Sequence, residues 1–296
     1  MASKVSFTYV APLFRFRSVD ALVRLPSGLL IRELTDQERS DLYDPVQQLW
    51  EGASLIGSEG GFGLCWVEQA RRGAEDAGTS ADERLAAVEE RFRAAVTALR
   101  LLAPGNVGIG LVAIWIGGRG LQRVHFVDAF AAGWCPYGLE AEDVPTLKQL
   151  VEALELSLSQ QKGLRRAVQR FNASYRRGDD QDRIVDHWIA LEGLFLRGEM
   201  GELTFKGAVR IAHYLGQSPA ERWGFYTDAK RSYRLRSKIV HGERVKEAEV
   251  EAVRPQTEEM LRMALRAVVL HPESLDVDKL DRRAVRGVPE PAMRRP

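Results

Sequence analysis

The chain has 296 residues, 45% of them hydrophobic, with 42 Lys or Arg against 41 Asp or Glu; this is apolar material enough for two ordinary domains with real cores. The longest apolar run, Ile109 to Gly118, is well short of the roughly 20 residues a membrane span needs, and no basic stub with an apolar stretch opens the sequence, so a soluble cytoplasmic protein with no membrane contact is expected. Cys65 and Cys135 each lie beside a Trp and show neither a disulfide framework nor metal-ligand spacing; they read as small core residues, and no metal or cofactor is expected.

Charge is unevenly spread. Residues 1–145 carry 14 basic against 19 acidic side chains, a net of −5, whereas residues 146–296 carry 28 against 22, a net of +6. A polyanion would therefore bind the second half. Of the basic residues 34 are Arg, the side chain suited to bidentate phosphate recognition, although most of them reflect an Ala- and Arg-rich composition.

In chain order, Leu30–Leu34 reads as a strand, and Thr35 with Glu38 has the spacing of a capping box that starts a short helix. The glycine-rich stretch from Gly57 to Gly63 lacks the flanking strand, the helix and the Lys-Ser/Thr ending of a phosphate-binding loop, and reads as a flexible turn. A second capping box, Ser80 with Glu83, opens a long amphipathic helix on which Leu85, Val88, Phe92 and Leu99 recur at helical spacing until Pro104 and Gly105 end it. Two buried strands follow, "GIGLVAIWI" and "RVHFVDAF", joined through "GGRG". The first half is thus a sheet with a helix packed on it.

From Pro145 strand signals almost vanish. Helices are expected over roughly 146–160, 163–176, 180–197, 202–215, 219–241 and 247–271, with Gly, Asp or Pro breaks between them. The predicted organisation is α+β: a mixed α/β domain over 1–145, a helical bundle over 146–275, and a disordered basic tail over 276–296, where Pro and Arg leave little to bury.

Two charges break the helical pattern. Tyr226, Tyr233 and Val240 are seven apart and nearly aligned, and Arg236 falls about 40° to 60° from their line, inside the sector predicted to be buried. His241 lies five residues on, at the helix end, where Gly242 can take the left-handed terminating conformation. In the preceding helix Ile184, Trp188, Leu191 and Phe195 form the apolar stripe, and Glu192 intrudes on it. A buried carboxylate needs a partner, and Arg236 and His241 are the natural ones, either as a functional site or as a pair that pins two helices. Lys230, Arg231, Arg234, Lys238 and Arg244 surround the cleft so formed, and a second basic run from Lys162 to Arg177 interleaves Phe171 and Tyr175. Such surfaces fit single-stranded nucleic acid, or else are solvated helix faces with their aromatics turned inward. The Arg-x-x-x-x-His spacing recurs at Arg266 to His271, in apolar surroundings with a Pro behind it, where it reads as incidental. His125 and His213 read as structural, and His187 as outside the site.

Taken together, "RAVQRFNASY", "DRIVDHWIALEGLF", "GELTFKGAVRIAHYLG" and "YRLRSKIVHGE", in that order, resemble the HEPN domain, specifically the Apea-like group of prokaryotic defence proteins. The likeness covers about 146–271, and the first half is only loosely similar to the N-terminal domains that accompany that group. The resemblance implies a metal-independent endoribonuclease that cuts single-stranded or loop RNA, in phage defence or a toxin-like stress response, with an antitoxin or another regulator as a candidate partner. It also implies a homodimer in which both Arg-x-x-x-x-His motifs share one cleft. Arg236 and His241 would be catalytic, with Arg236 neutralising charge on the phosphate and His241 moving protons. Ser237, where many such motifs carry Asn, Asp or His, would add a hydrogen bond, and Glu192 would orient Arg236 or His241. The alternative implied is a catalytically inactive HEPN dimer that binds RNA or a protein.

Overall fold

A computed structural model describes residues 4–49, 61–71, 80–117, 119–127 and 136–286. The fold is α+β, and the chain divides into two compact units, Met1–Glu155 and Leu156–Pro296.

The first unit is built on an antiparallel six-stranded sheet. Its strands are β1 (Lys4–Pro12), β3 (Leu22–Arg24), β4 (Leu30–Glu33), β5 (Phe62–Arg71), β6 (Leu111–Ile116) and β7 (Leu121–Phe126), in the order β3-β4-β5-β1-β6-β7. A parallel pair, β2 (Phe16–Ser18) with β8 (Tyr137–Leu139), stands apart from it. Strand β1, whose "VSFTYV" is rich in β-branched and aromatic residues, pairs with both β5 and β6 near the middle of the sheet. The period of two then divides the side chains between faces. Val10, Cys65, Leu111 and Ala113 pack with Leu42 and Val46 of helix α1 (Asp36–Leu49). On the opposite face Arg84 and Arg91 of helix α2 (Ala81–Leu102) lie over the rings of Phe7 and Trp66. The sheet therefore carries a helix on each face, where one was expected.

Both capping boxes form. Glu38 N–H donates to the Thr35 hydroxyl while Thr35 N–H donates to the Glu38 carboxylate, and Ser80 and Glu83 make the same exchange. The stretch expected to be a flexible turn ends inside β5: Phe62 and Gly63 are strand residues, and Gly57–Gly60 lie outside the described residues. A Cβ at Gly63 would stand 2.7 Å from Leu34 Cδ2, so any larger residue there would displace that buried side chain. Cys65 is buried as expected, while Cys135 lies outside the described residues.

Helix α3 (Val144–Gln160) contains the division between the units, at Glu155 rather than at residue 145. Its buried residues Leu147, Leu150, Val151 and Leu154 precede that point, and Glu155 accepts a hydrogen bond from Ser27 at 2.9 Å, which ties the helix to the first unit.

The second unit is helical: α4 (Lys162–Ser174), α5 (Asp180–Phe195), α6 (Leu203–Leu215), α7 (Pro219–Val240), α8 (Glu247–Leu270) and α9 (Val277–Arg286). Helix α5 packs on α4, α6, α7 and α8, with Trp188, Leu191 and Phe195 buried. The expected disorder from residue 276 is corrected by α9, which buries Leu280 and offers Asp281 to the buried Arg210; residues 287–296 lie outside the description. Composition misleads here because one apolar side chain and one well-placed carboxylate suffice to dock a short amphipathic helix. Among the described residues no helix is long and apolar enough to cross a membrane.

Candidate functional site

Helix α7 begins with the Ser218–Glu221 capping box and Pro219 in its first turn. It ends in a Schellman motif: Gly242, at φ 72°, lets its N–H donate to the Ile239 carbonyl at 3.0 Å while Glu243 N–H donates to Lys238 at 2.9 Å. His241 is the C-cap and is exposed, so the helix end holds an imidazole up to solvent.

Five residues earlier, Arg236 points into the bundle. Its Nη2 lies 3.2 Å from both carboxylate oxygens of Glu192 on α5, and both side chains are about a fifth exposed, at 21% and 24%. The guanidinium lies over the Tyr233 ring at 5.6 Å. Burial raises the pKa of Glu192 above the ordinary value, a push opposed by the neighbouring Arg236 and Tyr233. Arg236 Nε is buried and has no hydrogen-bond partner among the described residues, so this pair leaves one donor of the guanidinium unsatisfied. Of the two partners foreseen for Glu192, the chain brings up Arg236.

The scaffold behind this pair was not legible in the sequence. Trp188 Nε1 donates to Ser232 at 2.8 Å, Ser232 shares a hydrogen bond with Thr257, and Thr257 donates to the Val253 carbonyl at 2.8 Å. The Trp188 ring meets Tyr233 edge to face at 4.8 Å. This clasp joins α5, α7 and α8 and locks the turn of α7 that carries Arg236. Apolar periodicity marked Trp188 and Tyr233 as core, but Ser232 and Thr257 carry no signal until three helices meet.

Ser237 is half-buried one position past Arg236, and its carbonyl accepts the His241 N–H at 3.0 Å. Lys230 is half-buried with its ammonium 5.3 Å from the Tyr226 ring centre, Lys238 is half-buried, and Arg231, Arg234 and Arg244 are exposed. Val240, expected in the core, is 52% exposed, because the last turn of α7 runs past the packed part of the bundle.

The second basic run is corrected more sharply. Phe171 is fully buried, the Tyr175 hydroxyl donates to Glu258, and Arg170 and Arg177 both engage the buried Asp186, at 3.1 and 2.7 Å. Phe171 therefore packs into the bundle, while Arg170 and Arg177 stay exposed and pair their charge with the buried Asp186. His187 is fully buried against Ser174, with its pKa lowered to about 4 chiefly by desolvation, and His125 pairs with Glu89. In the repeated spacing, His271 is 3.8 Å from Glu273. Among the described residues no group of three His, Cys, Asp or Glu is arranged to hold a metal ion.

What the arrangement can do chemically is limited and specific: a positioned guanidinium, an exposed imidazole and a row of cations can bind a phosphodiester and move protons beside it. No family model matches the chain, and neither a curated protein nor a solved structure matches it significantly.

Proposed function

We propose that the chain is a metal-independent endoribonuclease of the HEPN type, acting as a homodimer on single-stranded or loop RNA. The observation that carries this reading is the Arg236–Glu192 pair, which orients a guanidinium one and a half turns before an exposed His241 on a rigidly terminated helix. In the reaction the RNA 2′-hydroxyl attacks the adjacent phosphorus, the P–O5′ bond breaks, and a 2′,3′-cyclic phosphate and a 5′-hydroxyl remain. His241 takes the 2′-hydroxyl proton, the second copy's imidazole protonates the leaving oxygen, and Arg236 offsets the charge on the non-bridging oxygens. Ser237 supplies a hydrogen bond and Glu192 positions Arg236. Defence against phage, or a toxin held in check by a regulator, is the setting this activity suits.

A second reading is favoured by one observation: Arg236 is already neutralised by Glu192 and stacked on Tyr233, as a structural pin would be. On that reading the dimer binds RNA or a protein without cutting it. The two are separated by incubating the protein with total RNA in excess chelator and mapping the ends. Cleavage to cyclic phosphates, reduced about a hundredfold or more in H241A, is expected; intact RNA with wild-type protein would leave only the binding reading.

A further inference from the structure

The outer face of α7 carries a feature outside the Arg236–His241 pair. Trp223 is 69% exposed and its ring stacks on Tyr226 with centroids 5.6 Å apart and planes 28° from parallel. Phe205 from α6, 56% exposed, meets Tyr226 edge on at 6.4 Å. Three neighbouring aromatics, two of them mostly open to water, are unusual for a solvated surface. On the same helix Lys230 lies over the Tyr226 ring and donates to its hydroxyl at 3.3 Å.

Helical geometry links this platform to the tip. Stepping about 100° per residue, Trp223, Thr227, Lys230, Arg234, Ser237 and His241 fall within about 40° of one line, with Tyr226 about 60° away. The line runs roughly 27 Å, from a ring platform through two cations to the imidazole. Helix α7 has two acids, Glu221 and Asp228, and both fall about 140° or more from that line. The face is therefore cationic and aromatic with no acid on it.

We infer that Trp223 and Tyr226 form a base-stacking subsite for the single-stranded RNA whose backbone follows Lys230 and Arg234 toward His241. This rests on the RNA-cleaving reading of the same helix and adds an anchor that sets which phosphate reaches the tip. Interleaved rings and cations suit a strand with flat bases and regular phosphates. A second copy of the chain fits less well, since an isologous contact centred on this face would set Lys230 and Arg234 against their own copies.

The test measures binding of the full chain to a single-stranded oligomer with 2′-O-methyl groups, which lacks the attacking hydroxyl, and to an abasic oligomer of the same length. W223A is expected to weaken binding of the first about tenfold, W223F to keep most of it, and the abasic oligomer to bind both wild type and W223A equally weakly. Equal affinity of W223A and wild type for the base-bearing oligomer would overturn the subsite, and so would loss of the dimer in W223A, which would make a second copy the occupant. Because this assay reads no cleavage, the two proposals fail separately. His241-dependent cutting with W223A binding like wild type removes the platform alone, and base-dependent binding through Trp223 without any cutting removes the nuclease alone.

Discussion

Glu192 illustrates how one side chain's surroundings set its role. Its carboxylate is half-buried, and burial lifts its pKa above that of an exposed glutamate while Arg236 and Tyr233 pull it back. Its contribution to stability is thus present below the ordinary glutamate value and is lost as the pH rises through the elevated one. For the proposed activity the consequence is opposite in sense: as the pH falls, Glu192 neutralises earlier than a surface carboxylate and releases Arg236. E192Q, which lacks the charge that holds Arg236, should be slow at every pH while binding RNA almost as well as wild type. Unchanged cleavage in E192Q would show that the pair only joins helices. His187 makes a cleaner case for stability. Its folded pKa of about 4 lies below the unfolded value near 6.5. The stabilisation is complete above 6.5 and is lost as the pH falls toward 4, amounting to roughly 3 kcal/mol. Denaturant midpoints measured across that window should fall for wild type and fall less for H187Q.

At the scale of elements, the helix ends were the most legible parts of the chain, because capping is local chemistry. The spacing of Ser80 with Glu83 and of Thr35 with Glu38, and the glycine after His241, each act within a few residues and appear as read. What failed were judgements that depend on a distant partner. Helix α9 has little to bury by itself, yet Asp281 receives two hydrogen bonds from Arg210, at 2.8 and 2.7 Å, 71 residues away in sequence. Arg210 also donates to Glu199 and to the Phe195 carbonyl. Ending the chain at Ser274 should cost about 2 kcal/mol, less than the 3–5 typical of breaking a buried pair, because those two acceptors remain. A melting temperature unchanged by the truncation would mean that α9 is not docked in solution. The aromatics of the second basic run failed for the same reason: Phe171 and Tyr175 look the same in sequence whether they face water, the core or, for Tyr175, Glu258.

For the whole molecule the proposal turns on a shared cleft, and that has a quantitative signature. If each active site needs the motif of both copies, activity of wild type mixed with H241A and allowed to exchange subunits should follow the square of the wild-type fraction, about a quarter at equal mixing. A linear fall to about one half would indicate that each copy acts alone. The charge difference between the two halves, −5 and +6, further leads to the expectation that RNA affinity drops steeply with added salt and that cations of the second unit account for the slope.

Local and periodic properties were determined by the sequence itself: the α+β class, helices α3 to α8, the capped ends, and the intrusion of Arg236 and Glu192 on apolar stripes. These depend on interactions within a few residues or on a repeat of two or 3.6. Only the tertiary structure decided which charges meet, namely that Glu192 takes Arg236, that Asp186 consumes Arg170 and Arg177, and that Ser232 and Thr257 close a clasp around Trp188. Long-range pairing leaves no periodic trace, since any cation can serve any carboxylate until the packing of apolar faces chooses the neighbours.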